Sequence, residues 1–231
     1  LGGRLWDEIA ANAQSLAAAG FTALWLPSQC KAMDGTRDVG YGIYDLYDLG
    51  EFDQKGTVAT KYGTRAQLEA AIGAAQSAGL QVYLDTVLNH KGGADATEVV
   101  TATPVSNDNR NIEIGPAREI EGWTAFNFPG RGSTYSSFQW HWYHFDAIDY
   151  DQRTGERAIF RLADKTFETP VDPERGNYDY LMFADLDSSR DDVREETGSW
   201  GEWIVRTLGV DGFRLDAVRH IRFTFFNEWL D

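Results

Sequence analysis

The 231-residue chain is 42% apolar and 25% charged, a globular composition with enough length for a sizeable core and one or two domains. Its 21 lysines and arginines stand against 36 aspartates and glutamates, a formal charge of −15, which excludes nucleic acid and anionic membranes as partners and favours a cation as guest. One cysteine, Cys30, excludes a disulfide framework, and no run of roughly twenty apolar residues offers a membrane span. Residues 4–19 carry Leu5, Ile9, Ala13 and Leu16 at helical spacing, with Gly20 as the predicted stop. Residues 21–26 then read as a buried strand closed by Pro27. The unit recurs: Thr64 caps a helix with Leu68, Ile72 and Ala75, Gly79 ends it, and residues 80–85 form the next strand. A third copy runs from Val193 through Trp203, Ile204 and Leu208 to Gly209, with its strand at 210–216. Helix, glycine and continuous apolar strand, three times over, predict parallel strands covered by helices, as in a doubly wound sheet or a (β/α)8 barrel.

Residues 91–190 break this rhythm. They are rich in glycine, aspartate, asparagine and aromatics, with Pro104, Pro116, Pro129, Pro170 and Pro173. A stretch that long inside an α/β domain must fold into something of its own, and alternating runs such as 138–145 predict an irregular, β-rich subdomain. The chain opens on Leu1 and stops at Asp231, just past a predicted helix over 223–230; this reads as a fragment of a longer protein.

Two strands end in aspartate, Asp85 and Asp216. Ligands and catalytic groups gather at the C-terminal ends of parallel strands. A lone strand-end aspartate is more often a helix cap, but here each has a partner. Asn89 and His90 follow Asp85, and strand alternation puts Arg214 on the same face as Asp216. An arginine there favours an ionised carboxylate, the form a nucleophile needs. A second concentration of carboxylates, Asp146, Asp179, Asp185 and Asp187, is interleaved with Tyr180, Leu181, Met182, Phe183 and Leu186. The bland reading of such a run is a solvated acidic face. The apolar neighbours instead draw it inward, where hard oxygen ligands suit calcium. Trp25, Tyr83 and Phe213 read as core. Trp140, Trp142 and Tyr143 read as packing of the small β domain, with sugar stacking as the lesser alternative, and His141 and His144 lack zinc-ligand spacing.

The segments DTVLNH (85–90) and GFRLDAVRH (212–220) resemble two signature regions of the α-amylase family, glycoside hydrolase family 13. DVGYGIYDLYDLGEF (38–52), NHKGGADATE (89–98), FPGRGSTY (128–135) and GNYDYLM (176–182) are similar to the liquefying α-amylases of bacilli. The resemblance implies a partial (β/α)8 TIM barrel, roughly strands two to four, with an irregular β-rich domain inserted after the third strand. It implies barrel segments at 1–90 and 191–231 and a calcium-binding inserted domain at 91–190. It implies retaining hydrolysis of α-1,4-glucan by a monomeric enzyme. Asp216 would be the nucleophile, oriented by Arg214. Tyr41, Asp85, His90, Arg219 and His220 would bind substrate. Arg219 stands where relatives often carry lysine.

The acid/base glutamate would lie beyond Asp231, so the fragment alone is expected to be inactive. Asn89, Asp179, Asp185 and the main-chain carbonyl of His220 match a Ca2+ site. Asp146 and Asp187 match an adjoining cluster of Na+ and a second Ca2+. Two positions depart from that pattern: Glu168 stands for an aspartate, and Ser189 for a carboxylate. The other readings are a maltooligosaccharide-forming, α-1,6-acting or transglycosylating member of the family, a noncatalytic glucan-binding homologue, and an unrelated α/β binding protein. Localisation stays open, since relatives are both secreted and intracellular.

Overall fold

The computed structural model describes residues 4–231. In chain order the elements are α1 (Leu5–Ala18), β1 (Ala23–Leu26), β2 (Lys31–Ala32), β3 (Ile43–Asp45), α2 (Arg65–Ser77), β4 (Gln81–Thr86), β5 (His90–Lys91), β6 (Ala96–Val105), β7 (Arg118–Ala125), β8 (Ala147–Asp151), β9 (Glu156–Leu162), β10 (Ala184–Asp185), α3 (Asp191–Leu208), β11 (Gly212–Leu215) and α4 (Phe223–Leu230). Among the described residues no helix is long and apolar enough to cross a membrane. The chain forms two compact units. The first takes the chain through Val87 together with Phe128–Ser137 and Trp200–Asp216; the second takes Leu88–Asn127, Phe138–Ser199 and Ala217–Asp231.

The first unit is built on a parallel sheet in the order β1-β4-β11. Each strand follows a helix that ends on a left-handed glycine: Gly20 at φ +94°, Gly79 at +85° and Gly209 at +60°. A residue with a Cβ pays a steric cost there, which is why these three positions stop their helices cleanly. Thr64 begins α2 with a reciprocal cap, its hydroxyl accepting the Gln67 N–H while Gln67 Oε1 accepts the Thr64 N–H at 2.8 Å. The apolar stripe Leu68, Ala71, Ile72 and Ala75 is buried, and α2 packs on α1 and β4. Trp6 is fully buried against Tyr62, ring centroids 5.2 Å apart.

The expectation that Trp25, Tyr83 and Phe213 are core fails. Trp25 is 58% exposed on the edge strand β1, and Tyr83 and Phe213 are half-buried. A continuous apolar run does not say which face of a strand is covered, and successive side chains point to opposite faces. Only Leu26 of β1 is buried. Cys30 is buried, and its Sγ lies 3.3 Å from the Leu46 carbonyl oxygen.

The second unit carries an antiparallel sheet in the order β7-β6-β9-β8 and a short antiparallel pair, β5 with β10. Val105, Ala147, Ile159, Phe167 and Tyr180 form one of its buried clusters. Trp140 is buried against Phe126, Phe138 and Phe145, as the packing reading predicts, but Trp142 is half-buried and Tyr143 exposed, so that reading holds for Trp140 alone. His141 lies 3.0 Å from Glu98 through Nδ1.

Candidate active site and metal centre

In the first unit, parallel pairing of β11 on β4 sets Arg214 opposite Asp85 and Leu215 opposite Thr86. Alternation then places Asp216 beyond the strand end on the Arg214 side, held by its own N–H donating to the Thr86 carbonyl at 2.9 Å. Arg214 Nη1 donates to Asp85 Oδ1 at 3.0 Å and also to Asp216 Oδ1. Asp85 is buried, and its second oxygen accepts the Tyr41 hydroxyl at 2.8 Å. Four side chains from three separate stretches of sequence thus form one chain: Tyr41, Asp85, Arg214, Asp216.

Burial and the hydrogen bond to Asp85 push the Tyr41 hydroxyl up to about 12, so it donates throughout the neutral range. Burial works against the Arg214 charge, but its hydrogen bonds to Asp85 and Asp216 outweigh burial and raise it. The guanidinium also lies over the Trp25 ring, Cζ 4.8 Å from the centroid. Sequence reasoning missed this contact. It was not legible, since it depends on strand register: Trp25 aligns with Tyr83 in β1–β4, and Gly212 aligns with Tyr83 from the other side. Gly212 leaves room for that arrangement, because a Cβ there would lie 2.6 Å from the Tyr83 ring.

The second unit collects the other candidate residues. Asn89 immediately precedes β5, and the β5–β10 pairing sets Asp185 opposite His90. Asn89 Nδ2 donates to Asp185 Oδ1 at 3.0 Å. That leaves Asn89 Oδ1 and Asp185 Oδ2 buried with no hydrogen-bond partner. Asp179 Oδ2 accepts the Glu168 N–H at 2.8 Å, and the Asp146 N–H donates to the Asp185 carbonyl at 2.9 Å. Carboxylate oxygens of Asp146, Glu168 and Asp187 lie within 4.8 Å of one another. Asp146 Oδ2 and Glu168 Oε1 are likewise buried and unpartnered.

Burial first, and then the neighbouring carboxylates, push Asp146, Asp179 and Asp185 well above the usual carboxylate range. Four orphaned oxygens among crowded buried acids are costly unless something positive joins them. An all-oxygen donor set fits a hard cation. Glu168 belongs to this cluster although the sequence reading put only Asp146 and Asp187 there. Its signal was its place in the aligned pattern; its longer side chain reaches, and Ser188 Oγ supports it at 2.8 Å. Ser189 donates to Asp187, as does Lys165.

His90 is buried, its ring 5.6 Å from Phe183. His220 is buried, with Nδ1 2.6 Å from the Tyr178 carbonyl oxygen. Arg219 is half exposed and pairs with Asp172 at 3.0 Å and with Glu174.

A parallel sheet that gathers carboxylates and an arginine at its C-terminal strand ends is the arrangement of barrel-type enzymes. The alpha-amylase catalytic domain family matches residues 6–229. The chain is 56% identical over 230 residues to an alpha-amylase of Geobacillus stearothermophilus, covering 99% of this chain and 42% of that protein. It is 53% identical over 232 residues to a glucan 1,4-alpha-maltohexaosidase of a Bacillus species, covering 99% and 45%. With the cytoplasmic alpha-amylase of Escherichia coli it shares 42% identity over 234 residues, covering 100% and 47%. A solved alpha-amylase of Geobacillus thermoleovorans, complexed with acarbose, superposes with a TM-score of 0.57 at 22% identity, covering 99% of this chain and 37% of that one. The chain belongs to the alpha-amylase catalytic domain family and carries part of a TIM-barrel type fold. It spans less than half the length of these curated relatives.

Proposed function

We propose that this chain is part of a retaining glycosidase that cleaves α-1,4-glucosidic bonds in starch or glycogen. The observation that carries the reading is the Arg214 bridge between Asp85 and Asp216. In a retaining mechanism one carboxylate attacks the anomeric carbon and a carboxylic acid protonates the departing oxygen; water then releases the sugar. Asp216 is the nucleophile. Arg214 fixes its direction by hydrogen bonding, and Asp85 fixes Arg214 from the neighbouring strand. Tyr41 is the platform for the sugar whose bond is cut, its hydroxyl anchored on Asp85. His90, Arg219 and His220 contact further sugar hydroxyls.

In this reading β1, β4 and β11 are barrel strands two to four. Residues 1–90 and 191–231 are barrel segments, and 91–190 are a domain inserted after the third strand. Asn89, Asp179, Asp185 and the His220 carbonyl hold Ca2+, and Asp146, Glu168 and Asp187 hold a second cation. The ions neutralise buried carboxylates and take no part in the bond-breaking step.

The test is to incubate the full-length protein with a fluorinated α-glucosyl fluoride and map the labelled peptide by mass spectrometry. Label on Asp216, and loss of labelling in Asp216→Asn, is the expected result; label on another residue rules the assignment out. One relative is named for maltohexaose release, so the product profile on starch then reads chain-length preference.

A further inference from the structure

Tyr178, in the second unit, has three guanidinium groups around its ring, with Cζ of Arg219, Arg175 and Arg110 at 5.0, 5.5 and 5.8 Å from the centroid. The first is neutralised by Asp172 and Glu174. Among the described residues no carboxylate forms an ion pair with either of the other two. Arg110 is only 3% exposed, and its Nε is buried without a hydrogen-bond partner. Both Arg110 Nη1 and Arg175 Nη1 donate to one acceptor, the Asn107 carbonyl. Burial, and then the charge of Arg175, disfavour the Arg110 cation and outweigh Tyr178, Tyr180 and Asp108, which favour it.

The backbone holds the two like charges together. The Arg110 N–H donates to the Arg175 carbonyl at 2.9 Å, and Asn111 Nδ2 donates to the Gly176 carbonyl at 3.0 Å. Arg175 sits at φ +56° and Gly176 at +79°, where an added Cβ would lie 2.2 Å from Asn109 Oδ1. A strained turn that brings a second arginine against a buried one is costly, and the Asp108 charge that favours the Arg110 cation does not outweigh that cost. The Tyr178 ring offers only its quadrupole, which offsets part of this.

We propose that Arg110 and Arg175 bind a small inorganic anion of halide size, seated on the unpartnered Arg110 Nε. Arg110 is almost completely buried, so the proposal commits to a guest smaller than sulfate or a peptide carboxylate. Guanidinium groups are also weakly hydrated and suit weakly hydrated anions. The proposal does not rest on the glycosidase reading, although Arg219, which contacts sugar in that reading, lies on the same Tyr178 ring.

The test compares melting of the full-length protein in sodium chloride and in sodium gluconate at equal ionic strength and fixed calcium, followed by bromide soaking of crystals. Chloride is expected to raise Tm by about 3 °C in a saturable way, with bromide anomalous density on Arg110 Nε. Arg110→Gln and Arg175→Gln are each expected to abolish the rise, while Arg157→Gln, which alters an arginine on Tyr150 instead, keeps it. Arg175 is less buried than Arg110, so Arg175→Gln carries the test if Arg110→Gln does not fold. Identical melts in the two salts, a rise that persists in Arg175→Gln, or stabilisation by sulfate in place of chloride each overturns the proposal.

Discussion

Arg214 stands directly opposite Asp85 in the parallel register of β11 on β4, and its Nη1 reaches both Asp85 Oδ1 and Asp216 Oδ1. A single planar donor thus couples a buried carboxylate to an accessible one on the next stretch of chain. Ala217, the residue after Asp216, adopts φ +55°, a conformation a residue with a Cβ holds at a cost. The chain therefore turns sharply just past the carboxylate that the arginine fixes.

Arg214→Lys keeps the positive charge but replaces a fork with a point donor. In the full-length enzyme it is expected to lower kcat by about 10²–10³-fold, the size of losing one oriented hydrogen bond to the reacting charge. KM should change much less. Arg214 is partly exposed and not a core residue, so the thermal melt should stay near that of the parent. Steady-state kinetics on a soluble maltooligosaccharide decides it: a kcat within a few-fold of the parent removes Arg214 from its assigned role.

Chelation tests the acidic cluster. The orphaned Asn89 Oδ1 and Asp185 Oδ2 belong to the folded state alone, so a cation bound there stabilises it by mass action. The gain is about 2.7 kcal/mol when the free ion is at a hundred times its Kd. Calcium is expected to raise Tm over chelator in the parent protein, and Asp185→Asn is expected to narrow that gap. Calorimetry with and without chelator reads both. An unchanged gap in the variant would place the stabilising ion elsewhere.

Much of the first unit was legible because its signals are local. Gly20, Gly79 and Gly209 each mark a helix end by the backbone conformation they alone adopt freely, and Thr64 with Gln67 spells its cap within four positions. The last helix falls at Phe223–Leu230, where the apolar pattern put it. Strand limits shifted by one or two residues, since pairing and not composition sets them. The sidedness of Trp25 was not legible, because an unbroken apolar run carries no alternation to read. Glu168 joins Asp146 and Asp187 across many intervening residues, and only the closed fold brings their oxygens together. The order β7-β6-β9-β8 is of the same kind, as a crossover leaves no periodic trace.

The buried ion pairs of the first unit predict a stability cost away from any catalytic group. Arg131 Nε donates to Asp45 Oδ2 at 2.7 Å with both side chains 1% exposed. Its Nη1 donates to the Thr134 and Ser136 carbonyls, each at 2.6 Å. Arg131→Met leaves the Asp45 charge buried with only the Gln54 amide on that oxygen, and is expected to cost about 3–5 kcal/mol. Adding Asp45→Asn should recover part of the loss, because the stranded charge goes with it. Urea denaturation of the three variants measures this; a single-variant cost below about 1 kcal/mol would show the pair contributes little.

Asp151 closes the β8–β9 hairpin and supplies the pH-dependent case. Its Oδ1 accepts the Glu121 N–H at 2.9 Å and the Arg153 N–H at 3.0 Å, and its Oδ2 accepts the Thr154 hydroxyl at 2.7 Å. Burial opposes ionisation here, but these donors outweigh it and hold the carboxyl below its ordinary value. The folded pKa therefore lies below the unfolded one, so the unfolded chain binds the proton first as pH falls. Stability from Asp151 is fully present above the unfolded value of about 4 and is lost as pH falls through the lower folded value. Asp151→Ala removes the acceptor and is expected to cost about 1.5–3 kcal/mol at pH 7, with a difference from the parent that shrinks between pH 4 and the folded pKa. Urea midpoints of parent and variant at pH 7, 5, 4 and 3 follow that difference, and one that stays constant over the whole range would mean the hydrogen bonds do not depend on the charge.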